Sequence, residues 1–255
     1  MFYFLIILFG AAFGSFFNVC IYRIPRKESI IAPGSRCPQC GEKIKSVYNI
    51  PILSYLLLKG KCNKCNSTIP MHYFLVEILT PVLFILLFIS LGSLFSFVFL
   101  KYLVFISFGL IILFIDFFHY IIPDKLSLPL IALGIFFSFT PVSDISWKSS
   151  IAGALFCFVV FFVTAYMFKF ITKKDYLGGG DIKLMTAIGS FLGILGSIFT
   201  IFFSSAIAFI MLLIIKHDKR KEFPFGPFLI FGAFIYILIG RVLTSLYLDL
   251  FRFIR

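Results

Sequence analysis

Charged residues are scarce in this chain. Only 13% of its 255 residues are Asp, Glu, Lys or Arg, whereas 61% are hydrophobic and the mean hydropathy is +1.08. So few charges cannot cover the surface of a water-soluble domain, and such a domain would have no use for 38 phenylalanines. A soluble globular protein is therefore excluded, and the composition predicts an all-α polytopic membrane protein.

The N-terminus lacks the basic residues that open a cleavable signal peptide. Phe2 to Gly10 is apolar, no Lys or Arg precedes this run, and the apolar character resumes after Gly14 as far as Ile21. We therefore expect a retained first transmembrane helix. The sequence also contains no internal repeat and no low-complexity linker.

Apolar segments of helical length predict about eight transmembrane helices. They cover about residues 2–22, 73–91, 95–115, 126–140, 150–170, 183–196, 197–215 and 226–246. The fourth and sixth are short, as expected for helices that tilt or border a water-filled cavity. We expect three parts: a first helix at 1–22, a loop domain at 23–72 and a membrane domain at 73–255.

Positive charge is concentrated on one side of the predicted helices. Most of the 23 Lys and Arg residues lie in the segments 23–72, 116–125, 171–183 and 216–224. Such loops face the cytoplasm, so the N-terminus is expected outside. This orientation explains the net charge of +12 better than nucleic-acid binding does, and no nucleic-acid partner is expected.

Four cysteines of the first loop form two C-x2-C pairs, Cys37-Pro-Gln-Cys40 and Cys62-Asn-Lys-Cys65. Two such pairs present four thiolates, which suits tetrahedral Zn²⁺ and leaves no open position for a catalytic water. Two disulfides or redox-active pairs are the alternatives, although a cytoplasmic loop disfavours stable disulfides. The spacing thus predicts a structural zinc site.

Two aspartates lie at the edges of apolar segments. Asp116 ends the run 108–116, and Asp181 follows the glycines 178–180. A carboxylate at the edge of a bilayer is costly and marks a candidate functional site. Two carboxyls that share a proton can activate water against a peptide carbonyl and protonate the leaving amine. An aspartyl protease pair at the cytoplasmic face is therefore one hypothesis.

Helix capping is the simplest alternative for these carboxylates. Asp181 could cap a helix that opens at Ile182, and Asp124, which follows Pro123, fits the same role more plainly. Lys183 is expected to favour the ionised form of Asp181. The glycine run could equally be a phosphate-binding loop, and His119 is interpreted as an interfacial histidine.

Two other classes of function remain open on local sequence alone. One is a transporter or ion channel with carboxylates along a proton path. The other is a non-catalytic membrane scaffold whose zinc loop binds a cytoplasmic partner.

Taken in order, the motifs resemble those of the prepilin peptidase family, the type IV leader peptidases. The matching blocks are Gly14-Ser15-Phe16-x-Asn18-Val19-x-Ile21-x-Arg23-x-Pro25, Arg36-Cys37-Pro38-x-Cys40, Asn49-Ile50-Pro51-Ile52-Leu53-Ser54-Tyr55, Gly60-Lys61-Cys62-x-x-Cys65, Asp116, Ile122-Pro123-Asp124, Gly178-Gly179-Gly180-Asp181-Ile182-Lys183-Leu184 and Pro224-Phe225-Gly226-Pro227. The GxGD element is shared with presenilin-like intramembrane aspartyl proteases. Where the family commonly has Arg-Tyr-Pro before Val-Glu, this chain has His72-Tyr73-Phe74.

The resemblance implies an enzyme of the bacterial cytoplasmic membrane that cleaves prepilins and pseudopilins after a glycine, on the cytoplasmic side. It implies that Asp116 and Asp181 are the catalytic pair. It adds supporting motif residues, namely Asp124, Gly178, Gly180 and Lys183. It also implies N-methylation of the new N-terminus with S-adenosylmethionine, an activity tied to the first loop. The expected partners are these substrates and the lipid bilayer.

The basic leader of such a substrate needs an acidic partner. The chain offers few candidates outside the apolar segments: Glu28, Glu42, Asp175 and Glu222.

Overall fold

The structure is a computed structural model that describes residues 1–173, 178–214 and 224–253, without the side chains of residue 46 and of residues beyond 240. Over these ranges the chain forms eight α-helices and one 3₁₀ turn at Ser46–Asn49. The helices are α1 (Phe2–Arg23), α2 (Leu53–Leu57), α3 (Met71–Ser90), α4 (Phe97–His119), α5 (Asp124–Ser138), α6 (Trp147–Thr172), α7 (Gly179–Ile214) and α8 (Gly226–Phe253). The predicted all-helical membrane fold is confirmed.

Five of the helices in the described part of the chain, α1, α3, α4, α6 and α7, are long and apolar enough to cross a membrane. The described apolar part of α8, Gly226–Gly240, is shorter, and α5 has only 15 residues, as expected for the fourth segment. The sixth and seventh predicted segments together form α7. That helix is interrupted once, so it comprises two helical segments.

The interruption of α7 lies at Gly193, whose φ of 68° and ψ of −172° are not helical. Glycine adopts positive φ without the steric penalty that a side chain brings. The sequence predicted the boundary three residues later, between 196 and 197. The interruption lies where α7 packs closely on α6, because a Cβ atom at Gly153 of α6 would lie 2.7 Å from the backbone of Gly193.

Residues Met1–Ile89 form a compact N-terminal unit that contains α1, the cysteine loop, α2 and α3. Tyr3 packs edge-on against Phe88, with ring centroids 5.8 Å apart. Further along, Gly10 faces Pro81, and a Cβ atom at Gly10 would lie 2.5 Å from the Pro81 Cα atom. The contacts run in opposite order along the two helices, so α1 and α3 pack closely as an antiparallel pair.

Residues Ser90–Arg255 form a second compact unit, in which α7 contacts α5, α6 and α8. Side-chain hydroxyls reach across these interfaces to backbone carbonyls. Ser150 Oγ of α6 donates to the Ser190 carbonyl at 2.7 Å, and Ser204 Oγ donates to the Phe228 carbonyl of α8 at 2.7 Å. Such bonds satisfy hydroxyls for which lipid offers no partner.

An ion pair joins the start of α4 to the loop between α5 and α6. Lys101 is only 1% exposed, and its Nζ atom lies 2.8 Å from Asp144 Oδ1. The Tyr102 hydroxyl donates to the other oxygen of the same carboxylate. A buried ammonium requires such a partner, and we interpret this cluster as structural.

Substitution of Gly153 should destabilise the second unit. A Cβ atom there would lie 2.4 Å from the Gly189 carbonyl oxygen, which belongs to the backbone and cannot move aside cheaply. We expect Gly153→Ala to lower the free energy of unfolding by roughly 1–3 kcal/mol, measured as a lower Tm in detergent.

The control is Gly179→Ala, because nothing lies within 4 Å of a Cβ atom at that helical position. A Gly153→Ala variant as stable as this control would contradict the close packing of α6 on α7.

Candidate carboxylate site and four-cysteine cluster

Asp116 lies in the last turn of α4 and is only 5% exposed. The helix continues to His119 and ends at Tyr120, whose φ is 56° and whose backbone N–H donates to the Asp116 carbonyl at 2.9 Å. The predicted segment ended at residue 115, one turn too early. Asp116 is therefore held within a helix and not in the loop that follows.

Asp181 is the third residue of α7, which begins at Gly179. Its backbone N–H donates to the Gly178 carbonyl at 3.1 Å, and its carboxylate turns back toward Gly178, whose backbone it contacts. A first-turn carboxylate that contacts the residue before the helix resembles half of a capping box. The interpretation of Asp181 as the N-cap of a helix opening at Ile182 is wrong, since the helix starts three residues earlier.

The end of α4 and the starts of α7 and α8 converge around Ile122. A Cβ atom at Gly180 would lie 2.9 Å from the Ile122 Cβ atom, and one at Gly226 would lie 3.3 Å from its Cδ1 atom. The same Cβ atom at Gly226 would also lie 2.5 Å from Asp116 Oδ2. This packing places Asp116 against Gly226 and puts Asp181 next to Gly180, so the two aspartates lie on segments that meet at the same side chain, Ile122.

Asp181 lies at the start of a helix, and Asp116, at the end of α4, contacts the start of another; unpaired N–H groups create positive potential at such starts. Asp181 is in the first turn of α7, and the backbone N–H of Gly226 at the start of α8 interacts with Asp116. Asp116 Oδ2 is nevertheless buried without a hydrogen-bond partner among the described residues. Buried polar atoms usually have partners, so this oxygen is free to bind a water molecule or a ligand.

Asp124 and Lys183 form an ion pair beside this site. Asp124 is the first residue of α5, with Pro123 in the cap position, so the expectation that Asp124 is the N-cap is wrong. The Lys183 Nζ atom lies 2.6 Å from Asp124 Oδ1, and Lys183 therefore pairs with Asp124 instead of Asp181. Both side chains are substantially exposed, so the pair contributes at most about 1 kcal/mol to stability, but it links the starts of α5 and α7.

The other polar residues singled out from the sequence lie apart from these contacts. His119 is exposed at the end of α4. Among the acidic candidates for a basic leader, Glu42 bonds Lys64 at 2.5 Å and Glu28 is exposed. Asp175 and Glu222 lie outside the described residues.

The four loop cysteines come together in the N-terminal unit. Their Sγ atoms all lie within 4.8 Å of one another, a geometry that could hold a metal ion. Cys37 is buried and Cys62 partly so, whereas Cys40 and Cys65 are exposed. The grouping of these side chains that the C-x2-C spacing predicted is confirmed.

Each C-x2-C pair lies on a turn with the same backbone hydrogen bonds. In the turn 37–42, the first residue donates to the carbonyl of the sixth at 2.9 Å, and the fifth donates back to the first at 2.9 Å. The turn 62–67 repeats the pattern at 2.8 Å and 3.0 Å. The ion pair between Glu42 and Lys64 joins the two turns, so the sulfur atoms are positioned by two similar loops.

The thiols of this cluster differ in acidity. Burial raises the pKa of Cys37, but backbone N–H groups of Cys40 and Gln39 outweigh it and lower the pKa to about 6. For the exposed Cys40, the Glu42 backbone lowers the pKa, but the neighbouring sulfurs and a partial loss of solvation together raise it to about 11. Four thiolates at this spacing repel one another, and a divalent cation would remove that repulsion. The donor set therefore fits a metal ion.

Glu77 is a polar residue of α3 that the sequence interpretation treated only as part of a motif. Its Oε2 atom accepts a hydrogen bond from the Ile52 backbone N–H at 2.7 Å. The signal was present in the sequence, because a carboxylate inside an apolar segment marks a candidate functional site by itself.

Comparisons with known proteins show which family the chain resembles. Residues 8–91 match the bacterial peptidase A24 N-terminal domain, and residues 103–213 match the type IV leader peptidase family. The chain is 33% identical to a prepilin leader peptidase/N-methyltransferase of Dichelobacter nodosus, over 94% of this chain and 92% of the relative. The Vibrio cholerae protein of that name is 37% identical, over 87% and 90%. No solved structure matches the chain.

The fold and these matches define a membrane enzyme with several transmembrane helices. The chain belongs to the type IV leader peptidase family.

Removal of single loop cysteines should remove the metal. We expect Cys37→Ser and Cys62→Ser each to lower the bound metal of the purified protein several-fold, measured by inductively coupled plasma mass spectrometry, because three sulfur ligands hold a tetrahedral ion far less well than four.

Cys157→Ser is the control, since Cys157 is buried in α6 and is not part of the cluster. Metal content that is unchanged in both loop variants would refute the metal site.

Proposed function

We propose that this protein is a membrane-embedded aspartyl endopeptidase that removes the leader of type IV prepilins and pseudopilins after a glycine, and then N-methylates the new N-terminus. The observation that carries the proposal is the convergence of Asp116 and Asp181 at helix ends, in a chain whose relatives are named for these two activities.

The chemistry needs one carboxyl protonated and the other ionised. Two neighbouring carboxyls in a poorly solvated site favour this state, because mutual repulsion opposes a second negative charge. The ionised group takes a proton from water, and the resulting hydroxide adds to the scissile carbonyl. The protonated group then protonates the leaving amine as the C–N bond breaks. Asp116 and Asp181 supply both roles.

Glycines at the site leave room for the substrate backbone. Gly178 precedes α7, and its Cβ position faces only the Asp181 carboxylate and neighbouring backbone within 4 Å. Gly180 and Gly226 are needed for close packing around Ile122. We infer that an extended substrate strand approaches beside Gly178, which has no side chain of its own.

The distribution of Lys and Arg favours a cytoplasmic active site in the bacterial inner membrane. The leader of the substrate is basic and its following segment is an apolar helix, which would lie against the transmembrane helices with the scissile bond at the interface. Glu28 is exposed and is a candidate partner for the leader.

We assign metal binding and methyl transfer to the loop at 23–72, and proteolysis to residues 73–255. Four sulfur ligands favour Zn²⁺ in a structural role. S-adenosylmethionine would supply an electrophilic methyl group. Two side chains near the loop fit methyl transfer, because both can accept hydrogen bonds from a substrate. They are the Glu77 carboxyl and Asn18 Oδ1, which is buried and lacks a partner among the described residues.

Neutralising either aspartate should stop proteolysis. We expect Asp116→Asn and Asp181→Asn each to lower the rate of leader removal at least about 100-fold, because each removes one of the two proton-transfer groups. The measurement is mass spectrometry of a co-expressed prepilin.

Asp124→Asn is the comparison variant and should lose far less cleavage than either of these, since Asp124 lies outside the reacting pair and its replacement removes only the ion pair with Lys183. Normal cleavage by either Asp116→Asn or Asp181→Asn would refute the pair, and loss of cleavage only in Asp124→Asn would assign the role to that residue.

Lys183 should act by positioning the start of α7. We expect Lys183→Asp alone to lower kcat by about 10-fold or more, because it sets two carboxylates against each other. The double variant Asp124→Lys/Lys183→Asp should recover much of that loss, because the reversed ion pair again links α5 to α7.

The readout that separates positioning from simple destabilisation is kcat measured at saturating substrate, with Tm recorded in parallel. A double variant no more active than Lys183→Asp would contradict the positioning role.

Loss of the cysteine cluster should affect methylation before proteolysis. In prepilin co-expressed with Cys37→Ser or Cys62→Ser, we expect cleaved product that lacks the mass of one methyl group, since the metal stabilises only the loop. Cleavage and methylation lost in equal measure would contradict the separation of the two activities.

A further inference from the structure

Glu77 is the acidic residue of α1 and α3, the two membrane-spanning helices of the N-terminal unit. It lies in the second turn of α3, within an otherwise apolar helix. An ionisable side chain at this depth is costly unless its surroundings require it, so its contacts indicate a function.

The Glu77 carboxyl is held by groups from two other segments. The backbone N–H of Ile52, just before α2, donates to Oε2 at 2.7 Å. The Ser15 hydroxyl of α1 also interacts with the carboxyl. The helices approach so closely here that a Cβ atom at Gly14 would lie 2.9 Å from the Glu77 Cα atom. The carboxyl is therefore fixed between α1, α3 and the loop.

The segment that donates to Glu77 is strained. Ile52 has a φ of 65° and a ψ of −54°, and the Leu53 N–H donates to the Pro51 carbonyl across it at 2.6 Å. This is a γ-turn with positive φ, a rare conformation that is unfavourable for a β-branched residue. Strain of this kind is retained where the surrounding structure enforces it, often at functional sites. The Glu77 carboxyl bonds the central residue of this turn, and Ser54 bonds Ile50 across it.

A second acceptor lies one helical turn away. Asn18 is 3% exposed, and its Nδ2 atom donates to the Tyr73 carbonyl at 2.9 Å. Its Oδ1 atom is buried without a hydrogen-bond partner in the described part of the chain. Asn18 follows Gly14 by one turn of α1, and Tyr73 precedes Glu77 by one turn of α3. A carboxylate and a carbonyl oxygen one helical turn apart along one interface are both acceptors, and their chemistry suits a cationic ligand with several N–H donors.

We propose that Glu77 and Asn18 bind the new N-terminal amino group of the processed substrate, and that Glu77 is the general base for its methylation. The inference rests on the proposed methyltransferase function. It assigns that function a binding site at the α1–α3 interface, and the ligand class is a primary α-ammonium group.

The proton and electron balance is simple. An α-amino group has an ordinary pKa near 7.7–8.0, so much of it is protonated at neutral pH and cannot attack. The Glu77 carboxylate takes one proton from the ammonium. The nitrogen lone pair then forms a C–N bond with the methyl group of a sulfonium donor as the S–C bond breaks. The nitrogen becomes a secondary ammonium, the donor becomes a thioether, and Glu77 releases its proton to water.

The alternative is that Glu77 only anchors the loop. Glu77→Gln separates the two roles, because the amide oxygen of Gln can still accept the Ile52 N–H but carries no charge and takes no proton. Glu77→Ala removes both functions and would report on anchoring.

The first test is mass spectrometry of prepilin co-expressed with each variant. We expect Glu77→Gln to cleave the leader normally while the methylated fraction of the product falls at least about 10-fold. Cys157→Ser is the control, since Cys157 is buried in α6 of the second unit and outside the cysteine cluster, and it should leave the methylated fraction unchanged. Full methylation by Glu77→Gln would overturn the proposal.

The second test needs no methyl donor. A peptide with the N-terminal sequence of the cleaved prepilin is bound to the purified protein in nanodiscs, with either a free or an acetylated N-terminus. We expect the wild type to prefer the free amine by about 10-fold or more, and Glu77→Gln to lose that preference. Equal Kd values for the two peptides on the wild type would overturn the site. Prepilin left unmethylated by the wild type, together with a retained preference for the free amine, would refute the methyltransferase function and not the binding site.

Discussion

A carboxylate inside an apolar helix needs compensating groups within the protein, because lipid supplies none. This constraint accounts for how the helix ends of the C-terminal unit are arranged. Asp181 lies where α7 begins, and Asp116, at the end of α4, contacts the start of α8, where N–H groups are unpaired. That arrangement requires the starts of α7 and α8 to reach the end of α4. Gly180 and Gly226 make the approach possible, since a Cβ atom at either position would press on Ile122. The glycines thus allow the close helix packing that compensates the charge of the aspartates.

The N-terminal unit meets the same constraint with other groups. Glu77 is compensated by the Ile52 N–H and the Ser15 hydroxyl, and the resulting contact ties the cysteine loop to α3. The loop has little apolar core of its own, so a metal among four sulfurs would supply the energy that holds its two turns together. Each unit therefore compensates its buried carboxylates mainly with groups of its own helices and loops, and the two family matches divide the chain in a similar place.

Composition and spacing were enough to predict the helical fold and the grouping of the cysteines, because both depend on patterns local in sequence. The contacts between helix ends could not be predicted in the same way. Lys183 is close in sequence to Asp181 but bonds Asp124, and only the packing of α5 against α7 decides between them. The break in α7 likewise depends on which backbone lies opposite Gly193. Glu77 differs from these contacts, because its position inside an apolar segment can be read from the sequence and is enough to mark it as a candidate functional residue.

The pairing of Lys183 with Asp124 bears on how the proposed pair would work. An ammonium bonded directly to Asp181 would keep that carboxylate ionised and oppose its taking a proton. With Lys183 held 2.6 Å from Asp124, the charge on Asp181 is compensated mainly by the start of α7, which is a partial positive charge and weaker than a full cation. Two neighbouring carboxyls under such partial compensation favour one shared negative charge over two. In the proposed mechanism, the ion pair would thus position the start of α7 and also leave the aspartates able to exchange a proton.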